Sequence, residues 1–495
     1  MKDKNGLSRR ASMKSMGALG AAAFLGAQTG GKSAASKDQS AQLPASEVRE
    51  QIEDKVWKTS FVDTHEHLVE EELRLNPDAM PFIQCHDWSQ LVAGYLFSDL
   101  LTSGLPLPKN LPWYKHDLFS TNVDPAKKWS IIAPYWPAVK NTGYGQALRL
   151  SLKELYGVTD LSADTIEAIQ EGYKKTVSPG FYKRILCDEA RIESCQVNSF
   201  AGPFCKSDQP LLLMQDMNVI GMILHEVFPE AKGWSPEAYS GPTGIDVKSL
   251  ADWHKVIDWW FRKYERFAVA AKSQHAYFRG IDHPRVPATQ VEDAFEKNLE
   301  NKPVTSEEKK ALEDHLFWYV VKKATEHSLP VKIHTGYHAG ENKMPLSRLM
   351  SNPGSACDLC RNSPDTAFVF MHICYPYYEE LIALAKHYTN AYIDMCWAWI
   401  CNPIASKDFL KKYLVTAPAN KVLTFGADYV CVENVVGHAI MARQGITQAL
   451  TELVEEGWFS LSDAMELIDP IMHGNARELF RLKQKEQALK QAPWS

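Results

Sequence analysis

Long apolar runs are missing from the body of this 495-residue sequence. After Ala27 no stretch of about eighteen uncharged apolar residues occurs, whereas a membrane-spanning helix needs roughly 20. We therefore expect a mature protein that is soluble and has no stable membrane anchor.

Basic residues are also scarce in most of the chain. Lys and Arg number 54 against 60 Asp and Glu, which gives a formal net charge of −6. Five basic side chains but only one acidic side chain lie in the first 27 residues, so the remainder is more acidic than the whole. Nucleic-acid-binding domains need a basic surface, and this balance excludes that class of partner.

Among the ten cysteines, Cys357 and Cys360 form one close pair in the sequence. Without a second pair nearby, this spacing is weak as a zinc motif, and both a local disulfide after export and two free thiols stay open. Other cysteines, such as Cys195 and Cys396, stand among apolar residues, as buried small hydrophobic side chains do.

The N-terminal segment is typical of an export signal. Ser8–Lys14 resembles a twin-arginine motif, and the apolar run Met16–Ala27 that follows is too short to span a bilayer. The alternative is a disordered tail with two chance arginines. We predict that residues 1–45 are a signal peptide and linker, and that the protein is periplasmic or secreted through the twin-arginine pathway.

From about residue 190, short apolar strands alternate with amphipathic helical segments. Parallel strands joined by helical crossovers produce this rhythm, and a count of eight favours a closed barrel over an open sheet. We therefore predict an α/β fold, a (β/α)8 TIM barrel over residues 46–485. The predicted strands lie near residues 61, 192, 213, 268, 331, 368, 392 and 422.

Residues 69–190 interrupt this rhythm. They contain aromatic and Pro-rich patches, such as Trp113–Tyr114 and Pro134–Pro137, together with helical segments but no sheet-like alternation. We predict a large, mostly helical insertion after the first strand, placed so that it covers the site.

A polar side chain lies at the C-terminal end of each of the clearest apolar strands. His65 and His67 stand at i and i+2 at the end of the first strand, so their imidazoles fall on one face. Corresponding positions on later strands hold Lys272, His334, His372 and Asp428. Any one of these alone is more often a hydrogen-bonded core residue. In a closed parallel barrel, however, all C-terminal strand ends meet at one mouth, where imidazoles and carboxylates can hold a divalent metal.

Taken together, these stretches resemble the amidohydrolase superfamily. The segments that carry the resemblance are Val62-Asp-Thr-His-Glu-His67, Lys272-Ser-Gln-His-Ala-Tyr-Phe-Arg-Gly280, Pro330-Val-Lys-Ile-His-Thr-Gly336, His372 with Tyr375-Pro-Tyr377, Phe425-Gly-Ala-Asp428 and Asn475-Ala-Arg477. The likeness extends over residues 55–480. It is greatest to the amidohydrolase-related branch, which includes uronate isomerases and the barrel domain fused to glutamine-synthetase-like proteins.

The resemblance implies roles for the strand-end residues. It implies four metal ligands, which are His65, His67, His334 and Asp428. The histidine that corresponds to His334 ligates the metal in some relatives and only forms hydrogen bonds in others. His372 corresponds to a histidine that contacts bound water or substrate. Lys272 corresponds to a lysine that, elsewhere in the superfamily, bridges two metals when carboxylated. In this branch a single metal is more usual, and the alternative is an ammonium group that meets the substrate.

Two residues that follow Lys272 in the chain, Tyr277 and Arg279, are predicted to bind substrate. Tyr277 and Arg279 are placed to hold a substrate carboxylate, for which the guanidinium fork is well suited. The alternative is an ordinary surface loop. Asp63 and Lys332 share strand faces with predicted ligands, which predicts a buried ion pair or hydrogen-bond network behind the metal.

The predicted chemistry is that of a metal-dependent hydrolase. A divalent ion with an open position lowers the pKa of bound water to about 7 and polarises a carbonyl. Asp428 would accept the proton, and His372 would stabilise the oxyanion. We predict an exported enzyme that cleaves a C–N or C–O bond of a small polar, carboxylated substrate. The alternatives are a uronate-type isomerase or a metal-dependent decarboxylase with the same site, and a non-catalytic binding barrel.

The predicted cofactor is a divalent metal ion. Histidine-rich ligation favours zinc, and manganese, iron or nickel are compatible with nitrogen and oxygen ligands. The predicted partner is a small-molecule substrate, and a homo-oligomer is compatible with the sequence.

Overall fold

Short parallel strands form the centre of the structure, a computed structural model that describes residues 44–76, 84–224, 232–340 and 344–494. The predicted export signal lies outside the described residues. Neighbouring strands pair in parallel throughout. The strands are β1 (Phe61–Glu66), β2 (Ile192–Val197), β3 (Leu213–Gln215, continued as Met217–Asn218), β4 (Ala271–Ser273), β5 (Val331–His334), β6 (Phe368–Met371), β7 (Ala391–Asp394) and β8 (Val422–Leu423).

The third strand joins the two halves of this sheet. Its first part pairs with β2 and its second part with β4, on either side of Asp216. The Asp216 N–H donates to the Val197 carbonyl at 2.9 Å, and the Met217 N–H donates to the Ala270 carbonyl at 2.8 Å. The ladder therefore passes without a gap from β2 to β4.

A second set of backbone hydrogen bonds closes the ring between the first strand and the segment that follows the last. The Thr64 N–H donates to the Phe425 carbonyl at 3.0 Å, and the Asp428 N–H donates to the His65 carbonyl at 2.9 Å. Eight parallel strands closed in this way form a (β/α)8 barrel, and the predicted fold is confirmed.

Burial of the strands follows from this architecture. Every residue of β5 and β6 is buried, as in strands that face side chains on the inside and helices on the outside. This explains why β6, Phe-Val-Phe-Met, is a continuous apolar run in the sequence.

Helices surround the barrel and fill the insertion. Before β1 lies Ala45–Lys58. The insertion contains Glu71–Leu75, Tyr95–Thr102, Pro125–Ile132, Trp136–Val139, Gly143–Tyr156, Ile166–Thr176, Phe181–Lys183 and the π-helical Arg184–Glu189. The helices between β3 and β6 are Ile220–Ile223, Pro236–Ser240, Leu250–Tyr264, Glu292–Leu299, Ser306–Glu326, Leu346–Met350 and Asn352–Asn362. The remaining α- and π-helices are Tyr378–His387, Ala398–Cys401, Pro403–Leu414, Glu433–Glu455, Leu461–Asp469, the π-helical Pro470–Gly474, Asn475–Leu479 and Leu482–Leu489.

Local sequence signals set several helix ends. Ser306–Glu326 begins with a capping box, in which the Thr305 hydroxyl and the Glu308 carboxylate each accept a backbone N–H.

Within the described ranges, no helix is long and apolar enough to cross a membrane. Cys357 and Cys360 both lie in Asn352–Asn362, and both are free thiols.

The insertion is helical, as predicted, and it packs closely on the barrel. Gly143–Tyr156 lies against Glu433–Glu455, the helix that follows β8. A Cβ atom at Gly437 would stand only 1.8 Å from the Ala147 carbonyl oxygen, so the two backbones can approach this closely only with glycine there.

A buried ion pair also attaches the insertion to the barrel. Arg74 donates two hydrogen bonds to the Glu433 carboxylate, at 2.6 and 3.0 Å, and both side chains are fully buried. A bidentate pair of this kind holds two elements in one geometry. Glu433 opens the helix after β8, so the pair secures the start of the insertion beside the barrel mouth.

We expect removal of one partner of this pair to destabilise the fold strongly. Arg74→Met leaves the Glu433 carboxylate buried without a counter-charge, which costs about 3–5 kcal/mol in the free energy of unfolding. Arg74→Met combined with Glu433→Gln should recover part of that loss. Denaturant unfolding of the single and double variants measures both.

The control is the more exposed pair Arg149–Asp160 in the same insertion. Arg149→Met should cost at most about 1 kcal/mol. Equal losses for Arg74→Met and Arg149→Met would show that burial of the first pair is unimportant.

Candidate metal centre

The ends of β1 and β8 bring two imidazoles onto one carboxylate. His65 Nε2 lies 3.2 Å and His67 Nε2 lies 3.5 Å from Asp428 Oδ1. His372, after β6, approaches the other oxygen, with its Nε2 3.9 Å from Asp428 Oδ2. All four side chains are buried. The predicted convergence of strand ends is therefore present in the structure.

Asp428 is held by its backbone as well as by its position after β8. Its φ of 63° lies in the left-handed region, which aspartate tolerates better than most residues. Its N–H donates to the His65 carbonyl, and its own carbonyl accepts a hydrogen bond of 2.7 Å from the Tyr95 hydroxyl. Tyr95 opens a helix of the insertion, so the insertion reaches the centre of the site.

Hydrogen bonds orient His67 as a ligand. Its Nδ1 lies 2.7 Å from the Asn198 carbonyl, so Nδ1 carries the proton and donates it there. Nε2 then carries a lone pair, which faces Asp428 and accepts a hydrogen bond of 3.2 Å from the Gln274 amide nitrogen. A fixed tautomer of this kind is the usual support of a metal-binding histidine.

Other polar atoms in the cluster lack protein partners. Both ring nitrogens of His65 and both of His372 are buried without a hydrogen-bond partner. Buried polar atoms are costly unless something satisfies them. The ligand atoms of His65, His67 and Asp428 also lie within 4.8 Å of one another. Imidazole nitrogens and a carboxylate oxygen form a donor set that fits a divalent metal ion.

The electrostatics of the cluster keep its imidazoles neutral. Burial, followed by the charge of Lys272, holds the pKa values of His65 and His372 well below the ordinary histidine value. Burial also lowers the pKa of His67. The neutral imidazole is the form that ligates a metal, so the protein presents these ligands without first having to remove protons.

Lys272 lies within this cluster, at the centre of β4. Its Nζ is fully buried and lies 2.7 Å from Met371 Sδ. Burial lowers its pKa to about 8, and the neighbouring Asp428 partly opposes that shift. Lys272 therefore places a cation of adjustable charge beside the carboxylate.

His334 lies next to the cluster but not within its ligand group. Its Nε2 donates to the Tyr337 carbonyl at 2.8 Å, and its ring centre is 4.5 Å from that of His372. The groups of converging ligand atoms found among the described residues do not include it. The Nε2 of His334 is therefore used by the backbone, which favours the hydrogen-bonding role, and the prediction that His334 ligates the metal stays a prediction.

The two residues predicted to bind substrate lie in different surroundings. Tyr277 faces the cavity, where its ring packs against His334 and its hydroxyl accepts the Ala339 N–H at 3.0 Å. Arg279 instead pairs with Glu313 at 3.2 Å and Asp314 at 2.6 Å. Two carboxylates of the helix Ser306–Glu326 thus hold its guanidinium, and Arg279 is not among the residues that line the cavity, so this arrangement does not support its predicted contact with a substrate carboxylate.

The predicted network behind the ligands exists, but with a different partner. Lys332 forms two 2.9 Å contacts with the carboxylate of Asp216 and donates to the Thr64 carbonyl at 2.7 Å. Asp63 instead accepts the His65 N–H at 3.0 Å. Both interactions brace the backbone on either side of Thr64, and so support His65.

A cavity of about 280 Å³ opens over the cluster. Its walls are mostly aromatic or apolar, and its polar residues are few. The aromatic residues are Tyr95, Phe97, Trp113, Phe200, Tyr277 and Tyr429, and the polar ones include His67, Gln274 and Asp428. Its volume lies near the lower limit for small-molecule sites, which start at about 300 Å³.

Sequence reasoning missed several of these residues. Asn198 and Gln274 directly follow β2 and β4, the position at which the other site residues were recognised, so a fuller use of that signal would have found them. Tyr95, Phe97 and Trp113 come from the insertion, where no strand pattern indicates which side chains face the mouth.

Comparison with known proteins identifies this architecture. Residues 251–482 match the model of the amidohydrolase family. The chain carries an amidohydrolase domain. The resemblance to the amidohydrolase superfamily that was recognised in the sequence is thereby confirmed over these residues.

Individual relatives are more distant. Over 167 residues, 33% of this chain, it is 27% identical to Protein fluG of Emericella nidulans, and the matched part is only 18% of that protein. The uronate isomerase of Thermotoga maritima matches 88% of this chain and 97% of its own, with TM-score 0.69 and 14% identity. The glucuronate isomerase of Caulobacter crescentus matches 92% and 97%, with TM-score 0.69 and 17% identity. Identities this low show a shared fold.

We expect His65→Ala combined with His67→Ala to remove metal from the protein. The change deletes the two imidazoles that approach Asp428 Oδ1, so the purified variant should bind less divalent metal than the wild type. Elemental analysis after dialysis against zinc measures the loss. The exposed His387→Ala is the control and should keep the wild-type content. Unchanged content in the double variant would contradict the assignment.

Proposed function

We propose that this protein is a zinc-dependent hydrolase that cleaves a C–N or C–O bond of a small substrate. The observation that supports this most directly is the group formed by His65, His67 and Asp428, of which His67 and Asp428 line the cavity. Three protein ligands, rather than four, are characteristic of catalytic zinc sites.

The residues of the cluster divide the work of hydrolysis between them. A divalent ion bound there would make a water molecule more acidic and polarise the substrate carbonyl. Asp428 accepts the proton of the attacking water, and burial raises the pKa of its carboxyl group, which makes it a better proton acceptor. His372 and Lys272 place a neutral imidazole and an ammonium group beside the position where negative charge develops.

The cavity lining revises the predicted substrate. Arg279 does not line the cavity, and most of the lining residues are aromatic or apolar. We propose a substrate with a flat or apolar body whose scissile bond faces the metal, in place of the polar, carboxylated substrate expected from the sequence. A uronate, with a hydroxyl on most carbons, would leave several polar groups unpaired against these walls.

Hydrolysis is tested with the zinc-loaded protein and a panel of aryl and alkyl amides, esters and lactones. We expect turnover of at least one amide, ester or lactone class, with aryl substrates preferred. Asp428→Asn should lower kcat by a factor of about 10² or more, because it removes the proton acceptor. Asp365→Asn, on the exposed surface, is the control.

The same panel includes uronates and aromatic carboxylates. Isomerisation of a uronate, or release of carbon dioxide from a carboxylate, without hydrolysis of any amide, ester or lactone would replace the hydrolase proposal with the isomerase or the decarboxylase.

We also propose that the protein is exported through the twin-arginine pathway. The support is the segment Ser8–Lys14 followed by the apolar run Met16–Ala27. The signal resembles that of a pathway that carries proteins that are already folded. Such a pathway suits a metalloenzyme, which can acquire its metal before export.

In a bacterium with a working twin-arginine pathway, the full chain should appear in the periplasm as a shortened species. Arg9→Lys combined with Arg10→Lys should keep it in the cytoplasm at full length, because the signal is read through its arginine pair. Lys4→Arg combined with Lys14→Arg preserves the charge outside that pair and serves as the control. Identical fractionation of both variants would refute this route of export.

A further inference from the structure

Gln274 makes a hydrogen bond that metal binding would have to break. Its amide nitrogen donates to His67 Nε2 at 3.2 Å. The same nitrogen of His67 is the atom that would ligate a metal ion, because Nδ1 already donates to the Asn198 carbonyl. A neutral imidazole has one acceptor nitrogen, so the Gln274 amide and a metal ion are alternative partners of His67.

We propose that Gln274 exchanges partners when the centre is loaded. In the metal-free chain its amide occupies the lone pair of His67 Nε2. Once that lone pair passes to a metal ion, the amide donates to a carbonyl oxygen of the substrate instead. This inference rests on the proposed metal-dependent function and adds to it a residue that contacts the substrate.

A neighbouring amide fixes the orientation that this exchange requires. Asn198 Nδ2 donates to Gln274 Oε1 at 3.2 Å, so the nitrogen of Gln274, and not its oxygen, faces His67. Asn198 therefore holds both partners, His67 through its backbone carbonyl and Gln274 through its side chain. Because its oxygen is held in this way, Gln274 can lose one acceptor and still keep its position.

The side chains that flank Gln274 anchor its backbone. Ser273 Oγ lies 2.7 Å from His275 Nδ1. His275 Nε2 lies 2.9 Å from His283 Nε2, and His283 Nδ1 lies 2.9 Å from Asp314 Oδ1. All four of these side chains are buried. They hold the turn after β4 in place, so the exchange requires only a rotation of the Gln274 side chain.

The surroundings of the amide make the substrate its next acceptor. Gln274 is 8% exposed and lines the cavity together with His67 and Asp428, both of which are assigned as ligands. Most of the other lining residues are aromatic or apolar and offer an amide hydrogen few acceptors. A buried donor without a partner is costly, and a carbonyl oxygen that enters the cavity satisfies it. The hydrogen bond strengthens as negative charge develops on that oxygen.

Zinc titration of the metal-free full chain tests the first half of the exchange without any substrate. Gln274→Leu removes the amide but keeps a side chain of similar size. Calorimetry should show that zinc binds this variant more tightly than the wild type, by about 2- to 10-fold in Kd, because no hydrogen bond to His67 has to be broken. Weaker binding would show that the amide only orients His67, and unchanged binding would show that it does not occupy the lone pair. Either result would overturn the inference.

Benzohydroxamate, a zinc-binding compound with one carbonyl oxygen and an aromatic ring, tests the second half. Its binding to the zinc-loaded wild type and to zinc-loaded Gln274→Leu is compared by calorimetry. The variant should bind it about 10-fold more weakly, because the carbonyl oxygen loses a donor. The two affinities should thus change in opposite directions, whereas a purely structural role of Gln274 would weaken both. Equal affinity for benzohydroxamate, or no binding to the wild type, would overturn the contact with a substrate carbonyl.

The matched control is Gln209→Leu, which removes a half-buried amide that donates to Glu71 at 2.8 Å. This variant should keep the wild-type affinities for zinc and for benzohydroxamate. Circular dichroism checks that both variants are folded.

The outcomes separate this inference from the proposed function. Opposite changes of the two affinities in Gln274→Leu, without hydrolysis of any amide, ester or lactone by the wild type, would refute the hydrolase and leave the exchange standing. Hydrolysis by the wild type, with both affinities unchanged in the variant, would refute the exchange and leave the hydrolase standing. A wild-type chain that binds no zinc would refute both.

Discussion

The hydrogen bonds that close the barrel between β1 and the segment after β8 are the interaction on which the rest of the site depends. His65 accepts the Asp428 N–H through its backbone carbonyl while its imidazole approaches the Asp428 carboxylate. The same contact thus completes the sheet and assembles the ligands. Because parallel strands end together at one mouth, residues far apart in the chain meet without any dedicated loop. The centre is therefore as rigid as the barrel seam.

Burial gives this centre its chemical character. Removal from water holds the imidazoles neutral, raises the pKa of Asp428 and lowers the pKa of Lys272 to about 8. All three shifts share one cause, the low polarity of the barrel interior, which disfavours charge of either sign. A divalent ion reverses that balance, since it stabilises the carboxylate and binds the neutral imidazoles. The cluster is thus better suited to a bound cation than to protons.

The fold was predictable because its signals are local and repeated. Each strand shows an apolar run with a polar residue at its end, so His65, His67, His372 and Asp428 could be recognised before their positions were known. The roles of His334 and Arg279 were not predictable, because each depends on a partner that no local pattern reveals. For His334 that partner is a backbone carbonyl, and for Arg279 it is a pair of carboxylates on a helix that begins 27 residues later. The cavity walls were also hidden, since the helices of the insertion are placed by tertiary packing alone.

The hydrogen bond from the Tyr95 hydroxyl to the Asp428 carbonyl connects the insertion to the segment after β8. Tyr95 also lines the cavity, so a displacement of the helix Tyr95–Thr102 that widened the opening would break this bond. Asp428 would then lose one of the two backbone contacts that maintain its left-handed conformation. The width of the cavity opening and the orientation of Asp428 are consequently coupled through the Tyr95 hydroxyl.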